Sequence, residues 1–320
     1  MSTLSPDYLL FAQHGWADTN RQITRLAQAL AGTKTLVFAP DLGYVRTWLR
    51  IEPLIEQVAL NAIATVTPYP NTPIRIIGHS MGGLIWLEVL DRYPELRAKV
   101  HSLVLIGSPV GGADLARAID PWGIGIGIAR DLGINRRAIA QRIATEIPTL
   151  VIAGDIDNGS DGTILVETAK FAGAKFVCVK DISHAALKSH LSLVNIIQDF
   201  WANPLVSTPS APDFASILID RLRLVTGMTD AHRRDFPYSK PYITFDNEIT
   251  LRTWKNPWQI QHVFVSDRTE DFLWGGFVGW SHNGALTETL TEIQKEYSLS
   301  IPRIQKHHLP GNVSSNRTPK

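Results

Sequence analysis

Gly78-His79-Ser80-Met81-Gly82-Gly83 sets a serine between glycines in a G-x-S-x-G pattern. The apolar run 74–77 precedes it, and a helix-patterned run, 84–93, follows and stops before Pro94. A sharp strand-to-helix turn of this kind strains the backbone at the serine, and its neighbours must be small because side chains there would collide with adjacent backbone. The hydroxyl is lifted above the sheet edge, and the helix aims its dipole and free N–H groups at a developing oxyanion. Such a serine can attack a carbonyl carbon once a base takes its proton. Of ten histidines, His184 is best placed, because it ends the segment after the last apolar run and precedes a helix. An imidazole there can reach a serine at the top of an earlier strand. His190 falls on a helix surface, and His101 precedes a strand and so lies at the opposite end of the sheet. His232, His262, His282, His307 and His308 all belong to the C-terminal part.

The base needs a carboxylate to orient it. Asp155, Asp157 and Asp161 all follow the apolar run ending at Ala153. Asp161 is preferred, because Gly162-Thr163-Ile164-Leu165-Val166 makes a small turn leading to an apolar anchor. Asp157 is the alternative acid, Asp155 ranks third, and the ones not used would serve turns and caps. The order Ser, Asp, His along the chain is the one a strand–serine–helix elbow goes with. His14-Gly15-Trp16 follows the first apolar run, at the strand end that faces a ligand crevice. Gly15 would let the backbone approach closely, and the N–H groups of Trp16 and Met81 would form the oxyanion hole. His14 reads as a hydrogen-bonded residue holding that loop.

Six short apolar runs must position these groups: 8–12, 35–39, 74–77, 103–106, 149–153 and 175–179. Their Val, Ile, Leu and Phe content suits strands buried on both faces. Helix-patterned segments at 19–30, 48–65, 84–93 and 187–200 alternate with them. The expected fold is α/β, with a doubly wound, mostly parallel sheet of about six strands covered on both faces. Between Pro109 and Pro148 no strand is expected, and residues 110–147 are a candidate cap over the site, with sheet-covering helix as the alternative. Ile124, Ile126 and Ile128 in that segment would suit an acyl chain.

Residues 203–212 hold three prolines with Ser and Thr and read as a linker after a first domain, 1–202. Beyond it, 213–300 forms a small α+β domain: a helix at 214–225, strands at 242–245, 249–254, 260–265 and 272–278, and a helix at 287–297. Residues 301–320 are expected to be a disordered tail. Trp254, Trp258, Trp274 and Trp280 concentrate in this domain, either as an aromatic core or as a platform for a protein partner. Arg221, Arg223, Arg233 and Arg234 would suit an acidic partner or a solvated helix face. The glycines at 275, 276 and 279 lack the βαβ context of a dinucleotide site.

Charges nearly cancel, 31 Lys+Arg against 30 Asp+Glu, so no global field draws the chain to nucleic acid or an anionic membrane. The single Cys178 permits no internal disulfide, reads as a core residue and fits a reducing compartment. No run approaches the roughly 20 apolar residues that span a bilayer. A cytoplasmic enzyme without metal or organic cofactor is expected.

Residues 8–202 resemble the α/β-hydrolase superfamily. Gly78-His79-Ser80-Met81-Gly82-Gly83-Leu84 followed by Leu105-Ile106-Gly107-Ser108-Pro109-Val110-Gly111-Gly112 resembles bacterial lipases and lipase-like esterases, although Val110 stands where many of them carry histidine. Ser160-Asp161-Gly162-Thr163 resembles their acid turn. The resemblance implies a sheet lacking the family's first two strands. It also implies a serine hydrolase that cleaves carboxylic esters, including lipid esters, through an acyl-enzyme. A thioesterase, amidase or acyltransferase would use the same three residues, and a catalytically quiet scaffold carrying a partner-binding C-terminal domain is the contrasting class.

Overall fold

The computed structural model describes residues 5–112, 127–207 and 211–298. The six apolar runs become one parallel sheet: β1 (Tyr8–Gln13), β2 (Thr35–Phe38), β3 (Ile74–His79), β4 (Val100–Ile106), β5 (Thr149–Asp155) and β6 (Lys175–Lys180), in the order β2-β1-β3-β4-β5-β6. The two-residue period of a strand explains how one apolar run feeds two cores. Leu9 and Phe11 of β1 enter the core on one face, while Leu10 and Ala12 enter the core on the other. The expectation of strands buried on both faces holds for the four inner strands. It fails at the edges, where β2 and β6 are only partly buried because each has one neighbour.

On one face lie α1 (Arg21–Leu30) and, later in the chain, the helix Ser192–Ala202. In α1 the buried residues are Ile23, Leu26, Ala27 and Leu30, the i, i+3, i+4, i+7 stripe of a half-buried helix. The other face carries α2 (Glu52–Val66) and α3 (Met81–Arg92), followed by the short α4 (Pro94–Arg97). The helix α3 is apolar nearly all round and buries Leu84, Ile85, Trp86, Leu87, Val89 and Leu90, which suits a central helix covered on both sides.

The candidate cap divides in two. Residues 113–126, with Ile124 and Ile126, lie outside the described residues. The rest covers the sheet: α5 (Ile128–Leu132) and α6 (Arg137–Ala144) bury Ile128, Leu132, Ala140 and Ile143 in the same core as α3. Ile128 is therefore a core residue and has no free face for an acyl chain. This segment is tied down by charge as well as by apolar packing. Arg136, 2% exposed, donates from Nε to Glu88 of α3 at 2.7 Å and from Nη1 to the Asp131 carbonyl at 2.8 Å. Asp131 in turn accepts from Arg50 Nε and from the Ile51 N–H, both at 2.9 Å. The first unit is completed by α7 (Val166–Ala169), α8 (His184–Leu187) and α9 (Ser192–Ala202).

A second, antiparallel sheet follows: β7 (Met228–Asp230), β8 (Lys240–Thr244), β9 (Thr250–Lys255), β10 (Gln261–Ser266) and β11 (Phe272–Val278), in the order β7-β11-β10-β9-β8. Helices α10 (Phe214–Arg223) and α11 (Asn283–Ser298) pack on it. The first is started by Asp213, which accepts from the Ser216 N–H at 2.8 Å as an N-cap should. Four of the five strands match the expected runs; β7 does not, since three residues, Met-Thr-Asp, carry no alternation to read. The core holds Leu218, Leu222, Val263, Val265, Leu286 and Ile293 around Trp274, while Trp258 and Trp280 are exposed. Gly275 and Gly276 lie inside β11. Arg221 pairs with Glu292 and Glu296 of α11, and Arg223 is largely buried near Asp230. Among the described residues no helix is long and apolar enough to cross a membrane.

The two ion pairs of Glu88 differ in solvent, and so should their worth. Glu88→Ala leaves the buried Arg136 guanidinium without its carboxylate and is expected to destabilise the protein by about 3 kcal/mol. Arg92→Ala removes half-exposed pairs with Glu52 and Glu88 and should cost about 1 kcal/mol or less. Urea denaturation of the two variants checks this, and equal losses would contradict it.

Candidate active site

Ser80 sits between β3 and α3 with φ 55° and ψ −127°, a conformation a residue with a side chain rarely adopts. Strain of this kind costs on the order of 1–3 kcal/mol and persists only where the surroundings over-determine it. Here they do. A Cβ on Gly78 would lie 2.6 Å from Gly83 Cα, and one on Gly15 would lie 2.8 Å from Ser80 Cβ and 3.0 Å from Met81 N. The Ser80 N–H donates to the Ile106 carbonyl of β4 at 2.8 Å. The turn 14–16 is thus pressed against the serine and the first residue of α3. Met81 N–H belongs to the first turn of that helix, whose N–H groups have no partner within the helix. Trp16 N–H is on the neighbouring residue of the 14–16 turn.

His14 holds that turn from within. Fully buried, it accepts the Leu42 N–H at Nε2 (2.9 Å) and pairs through Nδ1 with the Gly15 carbonyl at 3.0 Å. These partners fix the neutral tautomer with the proton on Nδ1, and burial lowers its pKa. Trp16 continues into an aromatic contact with Trp48, 4.5 Å between ring centroids. The segment containing Trp48 also carries the exposed side chains of Tyr44, Val45 and Leu49. It is fastened to the turn by the Ala17 N–H on Thr47 Oγ1 at 3.1 Å.

His184 begins α8, just after β6 and the Asp181–Ser183 connection. Its Nδ1 lies 2.7 Å from Asp161 Oδ2, and its N–H donates to the Asp161 carbonyl at 2.9 Å. Asp161 is 2% exposed, and its Oδ1 accepts from the N–H groups of Thr163 (2.9 Å) and Ile164 (2.7 Å). Both oxygens of a buried carboxylate are therefore paired, as its burial requires. The His184 ring lies over Gly107, at the end of β4, and beside His79, 4.8 Å between centroids. Of the other two acids, Asp155 joins Lys180 Nζ at 2.5 Å and the Gly159 N–H at 2.9 Å. Asp157 accepts from Ser160 N–H (2.7 Å) and Oγ (2.8 Å) and faces His232 Nε2 at 3.3 Å. The histidine after β6 is met by Asp161 alone of the three.

His79 occupies a variable position of the serine motif, where the sequence alone signals no role. Its Nε2 donates to the His184 carbonyl at 3.0 Å, so it props the neighbouring histidine from below. Burial and the neighbouring His184 push its pKa well below the ordinary histidine value. His232, one of the C-terminal histidines, touches the acid turn. Only tertiary proximity could have found it.

Buried neutral histidines leave a mark on stability. The folded-state pKa values of His14 and His79 lie below the ordinary 6.5 of an unfolded chain. The unfolded state then binds more protons below that value, so stability is full above it and is lost as pH falls. The limiting slope is about 1.4 kcal/mol per pH unit for each proton. Urea midpoints should drop between about pH 6.5 and pH 5, less steeply in His79→Gln, and parallel curves would remove His79 from the account.

A family model described as serine aminopeptidase, S33, matches residues 5–123. No match is found among curated proteins. Among solved structures, the chain is similar to the lipase BlEst2 of Bacillus licheniformis. The mature form matches with a TM-score of 0.51 and 12% identity over 63% of this chain and 94% of that one. The propeptide form matches with a TM-score of 0.53 and 12% identity over 87% of this chain and 69% of that one. The second coverage exceeds the share made up by residues 1–207 and so takes in part of the antiparallel unit. At this identity the likeness is one of fold. The order β2-β1-β3-β4-β5-β6, the serine at a strand-to-helix elbow and the match of the family model to residues 5–123 give the first unit the α/β-hydrolase fold.

Proposed function

We propose that the chain is a serine hydrolase of carboxylic esters, with a catalytic domain in residues 1–202 and a second domain in 213–300. The observation that carries this is the 2.7 Å contact of Asp161 with His184 Nδ1. It leaves Nε2 as the free nitrogen of a histidine packed against the strained elbow of Ser80. His184 takes the Ser80 proton as the serine oxygen attacks the carbonyl carbon. Asp161 holds the proton on Nδ1 and stabilises the imidazolium. The N–H groups of Trp16 and Met81 receive the oxyanion. His184 returns the proton to the leaving alcohol, and water then repeats the sequence on the acyl-enzyme, giving the acid and free Ser80.

An apolar acyl group is the substrate class supported by the surface beside Trp16, where Tyr44, Val45, Trp48 and Leu49 are exposed together. The single, half-buried Cys178 supports a reducing compartment such as the cytoplasm. The name of the matching family favours an amide as the second reading. The same groups would then protonate a leaving amine.

Labelling with a fluorophosphonate probe tests the nucleophile: intact protein should label and Ser80→Ala should not. Failure of folded intact protein to label would sink the reading. Asp161→Asn should lower kcat for a 4-nitrophenyl ester by about a thousandfold or more, since it removes the group that sets the tautomer. Asp157→Asn should lower it far less. A loss confined to Asp157→Asn would transfer the role. Rates that rise from acetate to longer acyl chains, with slow turnover of an aminoacyl 4-nitroanilide, select ester over amide.

A further inference from the structure

We propose that Asp230 and His232 of the second unit clamp the acid turn from both ends and so hold Asp161 against His184. They would be positioning residues of the site, supplied by the other unit. The inference rests on the proposed roles of Ser80, His184 and Asp161.

At the start of the turn, His232 Nδ1 accepts the Arg234 N–H at 3.0 Å. The neutral ring therefore carries its proton on Nε2, which faces Asp157 Oδ1 at 3.3 Å. The ring also lies on Gly159, whose Cβ, were there one, would be 3.2 Å from Cε1. Asp157 passes the restraint on through Ser160, which donates to it from both N and Oγ. Ser160 Oγ in turn accepts the Gly162 N–H at 3.1 Å. Ser160 and Gly162 are the two residues that flank Asp161.

At the end of the turn, Asp230 Oδ2 accepts from Thr168 Oγ1 at 3.0 Å and from Arg137 Nη2 at 2.6 Å. Arg137 also donates to the carbonyls of Glu167 (3.0 Å) and Lys170 (3.1 Å), so the helix after the turn is gripped through backbone as well. The other Asp230 oxygen accepts from Trp274 Nε1 at 2.7 Å. Between the two grips on the second unit, the Ala231 N–H donates to the Gly275 carbonyl of β11 at 2.8 Å. Asp230 thus ends β7, Ala231 extends its pairing with β11, His232 caps the turn that follows, and the segment carrying Asp161 is strung between Asp157 and Thr168. Both gripping carboxylates are charged near neutrality. Burial alone would raise them, but Arg137 and Arg223 hold Asp230 below its ordinary range, and Ser160 and His232 do the same for Asp157.

A misplacement of about 1 Å at a catalytic group can cost on the order of a hundredfold in rate. In the full-length protein, His232→Ala should lower kcat for a 4-nitrophenyl ester by roughly tenfold or more with KM within twofold. His232→Gln, which keeps a donor near the Nε2 position, should restore most of the loss. Adding His232→Ala to Asp157→Ala should lower kcat little further, because His232 reaches the turn through Asp157, whereas Asp157 also holds Ser160. A second reading is independent of turnover: the His184 Nδ1 proton, seen by NMR with 15N-labelled histidine, should exchange faster in His232→Ala than in the intact protein. An unchanged kcat together with an unchanged proton in folded His232→Ala overturns the clamp, as does a loss carried by KM alone. A rise in kcat also overturns it and would give the second unit an inhibitory role. Intact protein that turns over no ester, but whose His184 proton still responds to His232→Ala, sinks the proposed reaction and leaves the clamp standing.

Discussion

The structure turns on a backbone that has no room. At the elbow after β3, the chain passes so close to itself and to the 14–16 turn that Gly78 and Gly15 cannot carry even one carbon more. Ser80 pays for this closeness with a positive φ. The strain survives because β3 is an inner strand and α3 is buried nearly all round, so neither end of the elbow can relax. The same closeness brings the N–H of Met81 and the 14–16 turn to one side of the serine. His14, neutral and buried, then fastens that turn to Leu42 with no charge to desolvate.

The second constraint lies two strands away, in the loop after β5. A carboxylate as buried as Asp161 must have its oxygens paired, and the turn is built to pair them with Thr163, Ile164 and His184. That arrangement needs a loop of fixed shape after β5, a place where loops are ordinarily the mobile part of an α/β domain. Asp155, Asp157 and Ser160 supply internal ties within the loop, and Asp230 and His232 supply external ones. Buried charges recur at Arg136–Glu88 and Arg137–Asp230, where each guanidinium spans segments far apart in sequence. A guanidinium suits that task because its donors fan out in one plane and can serve a carboxylate and several carbonyls at once.

The sequence by itself determined the parallel sheet and the neighbourhood of the serine. Periodicity carried the first, since a buried strand and an amphipathic helix must repeat their apolar residues at fixed spacings. Local sterics carried the second, since a glycine-flanked serine between strand and helix has few conformations open to it. The edge strands, the three-residue β7 and the covering role of Ile128–Ala144 were decided in three dimensions. A sheet edge, a strand too short to alternate and a polar helix lying on a core look alike until their neighbours are known. Asp155, Asp157 and Asp161 lie close together at and after the end of β5; the turn following Asp161 favoured it in the sequence, and packing puts it on His184 while turning Asp157 toward His232. For His79 the chemistry was in plain view, but its partner is the carbonyl of His184, more than a hundred residues later. Sequence spacing encodes what a segment does to itself; it carries no signal for contacts made when distant segments meet across a core.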